Sequence, residues 1–539
     1  MSLSRNLDAD SVIQAAKDHP HRKHTHSIAA EAGRVLHSWK RDEDGASVPK
    51  YTMPKYGIPS KAAYQLLHDE TTLDGNPTLN LASFVHTWMP DEANKLYIEN
   101  MNKNLADQDE YPAAQIIHNR CVSMIADLWH APVAAKAVGT ATAGSSEAIM
   151  LAGLAMKKRW QEARKTAGKD YYTPNIVFGS NCQVALEKFA RYWDVEARLV
   201  PVNASTSYVL RPADAIPFID ENTIGVMVIM GSTYNGVFEN VEEMCKECLG
   251  WPVDALQERT GLNIPVHVDA ASGGFFAPFA YPNLKWAFDL DRVVSINTSG
   301  HKFGLVYAGL GWILWRDESF LHKDLVFELH YLGSIEYSYT LNFSKPAAPV
   351  IAQMFNFINL GFDGYRKIAL KDLRNARMLA RALEKTYFTV ISQIHLPRPG
   401  ASEECEEDES ELYMMGLPVV SFRFKDEFVK EYPQVKQAWI QTSLRTKGWI
   451  VPNYNAPKGE EQTEMLRVVV RESVTQDLME RLIVDILEIT ETYMAPEGAD
   501  MMIAFSSKGS SHPDKDNARP FTDTADDDGA EQHGFSRQC

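Results

Sequence analysis

The chain has 539 residues, 45% of them hydrophobic and 23% charged, with a formal net charge of −17. Those proportions are ordinary for a globular protein, and the length asks for two or three domains. The acidic balance argues against nucleic-acid binding, no window reaches the ~18 apolar residues of a membrane span, and the scattered cysteines form no disulfide framework. Met1 to Asp8 has no apolar signal core, so a cytoplasmic location is expected.

Residues 1–78 read as an N-terminal arm with short helices, punctuated by Pro54, Pro59 and Asp74-Gly75-Asn76-Pro77. His19, His21, His24 and His26 cluster there without a carboxylate at matching spacing, so they read as a solvated arm and no metal is expected. A large domain is expected over 79–372. Its short apolar runs Asn175–Gly179, Arg198–Val202, Ile224–Met230, Pro265–Asp269, Val293–Asn297 and Gly311–Trp315 are separated by amphipathic stretches. That alternation predicts an α/β fold: a mostly parallel central sheet with helices on both faces. Cys245 and Cys248 form a C-x-x-C with no second pair at zinc-ribbon spacing, and read as helix residues beside Glu242, Glu243 and Glu247.

A helical stretch from Pro346 to Leu383 leads into a smaller α+β domain over 373–500. Val419–Phe424 and Met465–Val470 read as its strands and Gln476–Glu491 as an amphipathic helix. Glu403 to Glu411 holds seven acidic residues and reads as a solvated loop, and 501–539 reads as a disordered acidic tail. Neither is expected to carry chemistry.

Three segments do carry chemistry. Gly144-Ser145-Ser146-Glu147 opens a helix whose Ile149, Ala152, Met156 and Trp160 recur at helical spacing. Such an N-terminus with two hydroxyls suits a phosphate, or is a plain serine cap. Val266-His267-Val268-Asp269 reads as a strand ending in an acid, where ligands bind in α/β sheets. Ser299-Gly300-His301-Lys302-Phe303-Gly304 places a lysine between two apolar segments, as a surface loop residue or as a nucleophile that forms a Schiff base. Together the three suit pyridoxal phosphate, which needs an anion cradle (Ser145, Ser146), a lysine (Lys302) and an acid that keeps its ring nitrogen protonated (Asp269).

Leu79-Asn80-Leu81-Ala82-Ser83-Phe84, the stretch from Cys121 to His130, Phe189-Ala190-Arg191-Tyr192-Trp193-Asp194-Val195-Glu196 and Ser299-Gly300-His301-Lys302 are specific beyond the general lysine pattern. On these motifs the chain resembles glutamate decarboxylases of the pyridoxal-phosphate fold-type I superfamily, of the fungal and plant-like kind. The likeness runs from Tyr51 to Tyr493. It implies an aspartate-aminotransferase-like fold and decarboxylation of L-glutamate to 4-aminobutanoate (γ-aminobutyrate).

By the same resemblance Lys302 carries the cofactor, Asp269 pairs with its ring nitrogen, and Ser145, Ser146 and Ser299 are phosphate-region positions. His301 matches a phosphate-contacting histidine with a role in proton delivery, and Tyr331 matches a mobile lid residue and second proton donor. Gln183, Thr233 and Ala271 match cofactor-side positions. Arg467 matches the arginine on the substrate α-carboxylate, and Ser83, Phe84, Asn104 and Asp107 the pocket around the distal one. An aspartate beside a carboxylate links activity to acidic pH. Ser344 matches a serine that reaches the phosphate of a neighbouring subunit, which makes a homodimer the minimal unit, alone or within a larger assembly. Glu187 stands where bacterial members stack a histidine on the cofactor ring, so the group covering that face is open. The tail has no basic, tryptophan-bearing helix, which argues against calmodulin control. The alternatives are a related pyridoxal-phosphate decarboxylase or lyase acting on another amino acid, or an inactive scaffold of the same fold.

Overall fold

The computed structural model describes residues 48–49, 51–134, 137–245, 262–330, 336–401 and 408–495. The histidine cluster, Cys248, Tyr331, most of the acidic loop and the tail lie outside the described residues. The chain divides into two units, Met1–Asp74 and Gly75–Cys539. The described part of the first carries one helix, α1 (Ser60–Thr71), with no buried residue.

The second unit is organised around seven strands: β1 (Val138–Thr142), β2 (Asn175–Gly179), β3 (Glu196–Val200), β4 (Thr223–Ile229), β5 (Val266–Asp269), β6 (Val293–Thr298) and β7 (Gly311–Trp315). Their order is β1-β7-β6-β5-β4-β2-β3. Every pairing is parallel except the two made by β7, so six strands run one way. Side chains alternate between faces with period two. Trp312 and Leu314 of β7 therefore join one core with α3 (Pro112–Leu128), while Ile313 and Trp315 join another with α4 (Ser145–Thr166). Helices on both faces explain why these strands read as continuous apolar runs.

Two differences from the sequence reading have physical causes. β1 was not expected, because Val138-Gly139-Thr140-Ala141-Thr142 has little apolar bulk. Close approach requires that: a Cβ on Gly139 would stand 2.7 Å from the Ile313 carbonyl oxygen. β3 starts at Glu196, two residues before the apolar run, because it is an edge strand whose early residues are exposed and paired only to β2.

Between β2 and β3 lies α5 (Val184–Tyr192), and α2 (Asp91–Asn100) precedes α3. After β7 comes a hairpin of β8 (Phe327–Leu329) and β9 (Glu336–Ser338). The long helix α6 (Ala348–Glu384) then packs on α2 and α3, and further along on a second sheet. It bends at Gly361, whose φ of 58° and ψ of −171° are costly for any residue with a Cβ. The second sheet is antiparallel, β10 (Phe388–Val390), β11 (Val419–Phe424), β13 (Glu464–Val469) and β12 (Asn453–Asn455) in that order. It shares a core with α6, α7 (Gln437–Thr446) and α8 (Gln476–Met494), and forms a smaller C-terminal domain. Among the described residues no helix is long and apolar enough to cross a membrane.

Candidate active site

The ends of β1, β5 and β6 fall on one edge of the large sheet, because these strands run parallel. β5 stops at Asp269, β6 runs into the turn that carries Ser299, His301 and Lys302, and β1 hands over to α4 at Ser145. The fold thus gathers at one edge the residues that the sequence scatters over more than a hundred positions.

Lys302 Nζ donates to Ser272 Oγ at 3.2 Å and lies 5.3 Å from the centre of the Phe84 ring. Burial, opposed by Asp269 and assisted by Arg467, lowers its pKa to about 8. A lysine so tuned offers a neutral amine near physiological pH, as a carbonyl nucleophile must. Asp269 is 4% exposed, and its Oδ1 accepts from the Ala271 N–H at 3.1 Å and Asn297 Nδ2 at 2.9 Å. Oδ2 receives no hydrogen bond from the described residues, which leaves it for a ligand's N–H.

At the other end Ser145 Oγ and Ser299 Oγ are 2.7 Å apart, and α4 starts at Gly144 without a side-chain cap. Its first N–H groups are therefore available to an anion, with Ser146 exposed on the same turn. His301 packs beside this terminus, since a Cβ on Gly144 would stand 3.1 Å from His301 Cε1. Burial, helped by Lys302, lowers the His301 pKa to about 4, and its Nδ1 accepts from the Leu310 N–H at 3.2 Å. The neutral ring therefore carries its proton on Nε2, a donor for a phosphate. The donor set fits pyridoxal phosphate at both ends.

Arg467 comes from β13 of the smaller domain. Its Nη1 donates to the Thr233 carbonyl at 2.6 Å and Nη2 to the Ala82 carbonyl at 2.7 Å, while Nε is buried with no hydrogen bond among the described residues. The guanidinium lies 5.2 Å from the Phe84 ring and 5.3 Å from that of Tyr454. Lys302 and Arg467 thus share Phe84 as a neighbour. The segment that carries it is pinned by Arg471, which donates to the carbonyls of Pro77 at 2.9 Å, Asn80 at 2.8 Å and Val85. Ser83 Oγ accepts from the Val85 N–H at 3.1 Å.

Gln183 caps α5, its side-chain oxygen accepting from the Ala185 N–H at 2.6 Å. Ala271 accepts from the Ser299 N–H at 3.0 Å, and so ties the aspartate turn to the lysine turn. Glu187 is half-buried, and Cys182 Sγ donates to its Oε1 at 3.9 Å. Asn104, Asp107 and Ser344 form a second group. Asn104 Nδ2 donates to Ser344 Oγ at 3.4 Å, the Asp107 N–H donates to the Asn104 carbonyl at 3.2 Å, and Ser344 is exposed. Among the described residues no hydrogen bond or ring contact joins this group to Lys302, Asp269, Phe84 or Arg467.

Residues 49–398 match the pyridoxal-dependent decarboxylase conserved domain. The chain belongs to the pyridoxal-dependent decarboxylase family. Its cofactor is pyridoxal 5'-phosphate, consistent with the donor set above. This family member is 48% identical over 460 residues to a glutamate decarboxylase of Saccharomyces cerevisiae, covering 82% of this chain and 78% of the yeast protein. It is 46% identical over 450 residues to glutamate decarboxylase 5 of Arabidopsis thaliana, covering 82% and 84%. The solved Lactobacillus brevis glutamate decarboxylase superimposes with a TM-score of 0.73 at 38% identity, over 82% of this chain and 95% of that one.

Sequence reasoning missed Ser272, Tyr454 and Arg471. Ser272 had a signal, three residues after Asp269 in the same small-residue run. Tyr454 and Arg471 had none, because their roles depend on where the smaller domain places them.

Proposed function

We propose that this decarboxylase converts L-glutamate to 4-aminobutanoate and CO2. The observation that carries the reading is that Lys302 and Arg467 both lie close to the Phe84 ring, at 5.3 Å and 5.2 Å from its centre. Bound pyridoxal phosphate supplies an electron sink for the bond that breaks at the substrate's Cα. The remaining work falls to the chain. Beyond the two N–H donors that hold backbone carbonyls, Arg467 keeps Nη–H donors for a carboxylate, whose planar geometry matches the fork. Seating the α-carboxylate there fixes which Cα bond is strained, and orientation of this kind selects decarboxylation over other outcomes. The carbon that loses CO2 takes up a proton, so each turnover consumes one. Lys302 Nζ, with its pKa near 8, is placed to deliver it. His301 Nε2–H, Ser145, Ser299 and the first N–H groups of α4 hold the phosphate.

The second group, Asn104, Asp107 and Ser344, completes the chamber of a partner subunit, so the working unit is a homodimer. The exposed Met101 and Phe343, close in the chain to Asn104 and Ser344, support this. Across the dimer Asp107 would then meet the distal carboxylate of the substrate. A cytoplasmic location fits an enzyme whose buried Cys121 and Cys182 are free thiols. The test is product formation by the purified holoenzyme from glutamate, aspartate, cysteine sulfinate and aromatic amino acids. Glutamate alone should yield CO2 and its amine at a high rate. Faster turnover of another substrate would overturn the reading in favour of a related decarboxylase. Absence of any visible cofactor band would favour an inactive scaffold.

A further inference from the structure

β5 and β6 run side by side with Asp269 opposite Asn297 and His267 opposite Ser295. Behind the crevice these four side chains form one line of hydrogen bonds. Asn297 Nδ2 donates to Asp269 Oδ1 at 2.9 Å, His267 Nε2 is 2.7 Å from Asn297 Oδ1, and His267 Nδ1 is 2.8 Å from Ser295 Oγ. His267, Ser295 and Asn297 are fully buried.

The carboxamide sets the direction of the line. Asn297 turns its NH2 to Asp269, so its oxygen faces His267, and an amide oxygen only accepts. The His267 proton therefore sits on Nε2. Burial holds the ring neutral, its pKa lowered to about 4 against the opposing pull of Asp269, of the Asn297 side chain and of the Ser295 backbone. Nδ1 of a neutral ring must then accept from the Ser295 hydroxyl. Every proton in the line is fixed, and the line ends on Asp269 Oδ1. With the Ala271 N–H on the same oxygen, the carboxylate cannot rotate without breaking two hydrogen bonds.

We propose that Ser295, His267 and Asn297 form a positioning relay that locks the rotation of Asp269 and so presents Oδ2 to the ring nitrogen of pyridoxal phosphate. The relay rests on reading Asp269 as the ring-nitrogen partner, a reading the Asp269→Asn variant tests separately. Outer residues that orient a site's ligands typically change its performance 10- to 100-fold when removed. His267→Leu fills the same space without a donor, whereas His267→Gln keeps an N–H for Asn297 and an oxygen for Ser295.

The experiment loads each variant with cofactor carrying 15N in the ring and records the ring-nitrogen resonance against pH, the cofactor dissociation constant, kcat and KM. In His267→Leu the ring nitrogen should lose its proton at a lower pH than in the parent. Cofactor affinity and kcat should each fall about 10- to 100-fold, with KM for glutamate within about twofold. His267→Gln should recover most of each loss. Equal losses in the Leu and Gln variants would show packing alone and overturn the relay. So would a parent-like resonance in His267→Leu. If His267→Leu does not fold, Ser295→Ala removes the far donor without a change of packing, and an unmoved ring-nitrogen titration there overturns the proposal. An unmoved resonance in Asp269→Asn would instead reject the ring-nitrogen reading itself.

Discussion

Arg467→Lys isolates the part of substrate recognition that depends on shape, because it keeps the positive charge. In the parent, one N–H each of Nη1 and Nη2 is tied to Thr233 and Ala82, and the planar fork keeps further Nη–H donors for a carboxylate. An ammonium has three donors in all and no planar fork, so it cannot hold both carbonyls and pair twice with a carboxylate. One charge-assisted hydrogen bond to the substrate is lost, and each such bond is worth about 1.5–3 kcal/mol. At about 1.4 kcal/mol per factor of ten, kcat/KM for glutamate should fall roughly 10- to 150-fold. Because the carboxylate is also less firmly oriented, kcat should fall along with the rise in KM. The assay is 4-aminobutanoate formation by holoenzyme, with the cofactor's visible absorbance and the melting curve as controls for folding. If a folded, cofactor-loaded Arg467→Lys enzyme stays within about threefold of the parent in kcat/KM, Arg467 does not hold the α-carboxylate.

Three further predictions follow from the charges and from the dimer. Apoenzyme should recapture pyridoxal phosphate faster as pH rises through about 8, the pKa to which burial lowers Lys302, and a rate flat from pH 6.5 to 9 would refute a neutral-amine attack by this residue. Burial also lowers His86, His118, His267 and His301 from 6.5 to about 4, so unfolding takes up their protons between those values and their contribution to stability is lost as pH falls. Glu239, raised from 4.5 to about 7, and Asp372, raised well above 3.8, act in the opposite sense. The histidines, His395 among them, outnumber the raised acids, Glu472 among them, so unfolding takes up protons on balance and apoenzyme should lose stability on acidifying from about pH 6.5 to 4.5. Denaturation midpoints that hold steady across that window would contradict it. Mixing unfolded Lys302→Ala and Asn104→Ala chains and refolding them should restore about a quarter of parental activity, since half of random dimers are mixed and each has one intact chamber. No recovery would mean that each chain supplies its own chamber.

Much of this was legible because the cofactor-binding edge is built from local motifs. Gly311–Trp315 and Val419–Phe424 were read with correct bounds, since strands buried on both faces leave apolar runs with sharp ends. Asp269 ends one apolar run and Lys302 follows the next, so their shared edge is readable from the parallel pattern, whereas Ser145 follows β1 and shows in the sequence only as a helix N-terminus. What the sequence hid is set by register and by domain placement. His267 and Asp269 are two apart and so share a face, which is readable, but that Ser295 and Asn297 lie opposite them depends on the β5–β6 register. The position of Phe84 beside Lys302 and Arg467 depends on Arg471 and on the Leu81 N–H bond to Ile450, contacts between distant parts of the chain.

The arrangement also couples recognition to proton handling. Lys302 feels two opposed charges, with Asp269 raising its pKa and Arg467 lowering it. A carboxylate seated on Arg467 cancels the second field and leaves the first, so Lys302 holds its proton more firmly with substrate bound than without. That suits the order of events. A free lysine with lowered pKa is a better nucleophile for capturing the cofactor, whereas a lysine facing bound substrate must carry a proton to give. On the proposed seating of the α-carboxylate, one guanidinium would do two things through one charge: orient the carboxylate and, once neutralised by it, favour the proton-carrying form of the neighbouring amine. The same argument explains why Arg467 is tethered by carbonyls instead of by a resident acid. An acid there would cancel its field permanently, and the state of Lys302 would no longer depend on substrate.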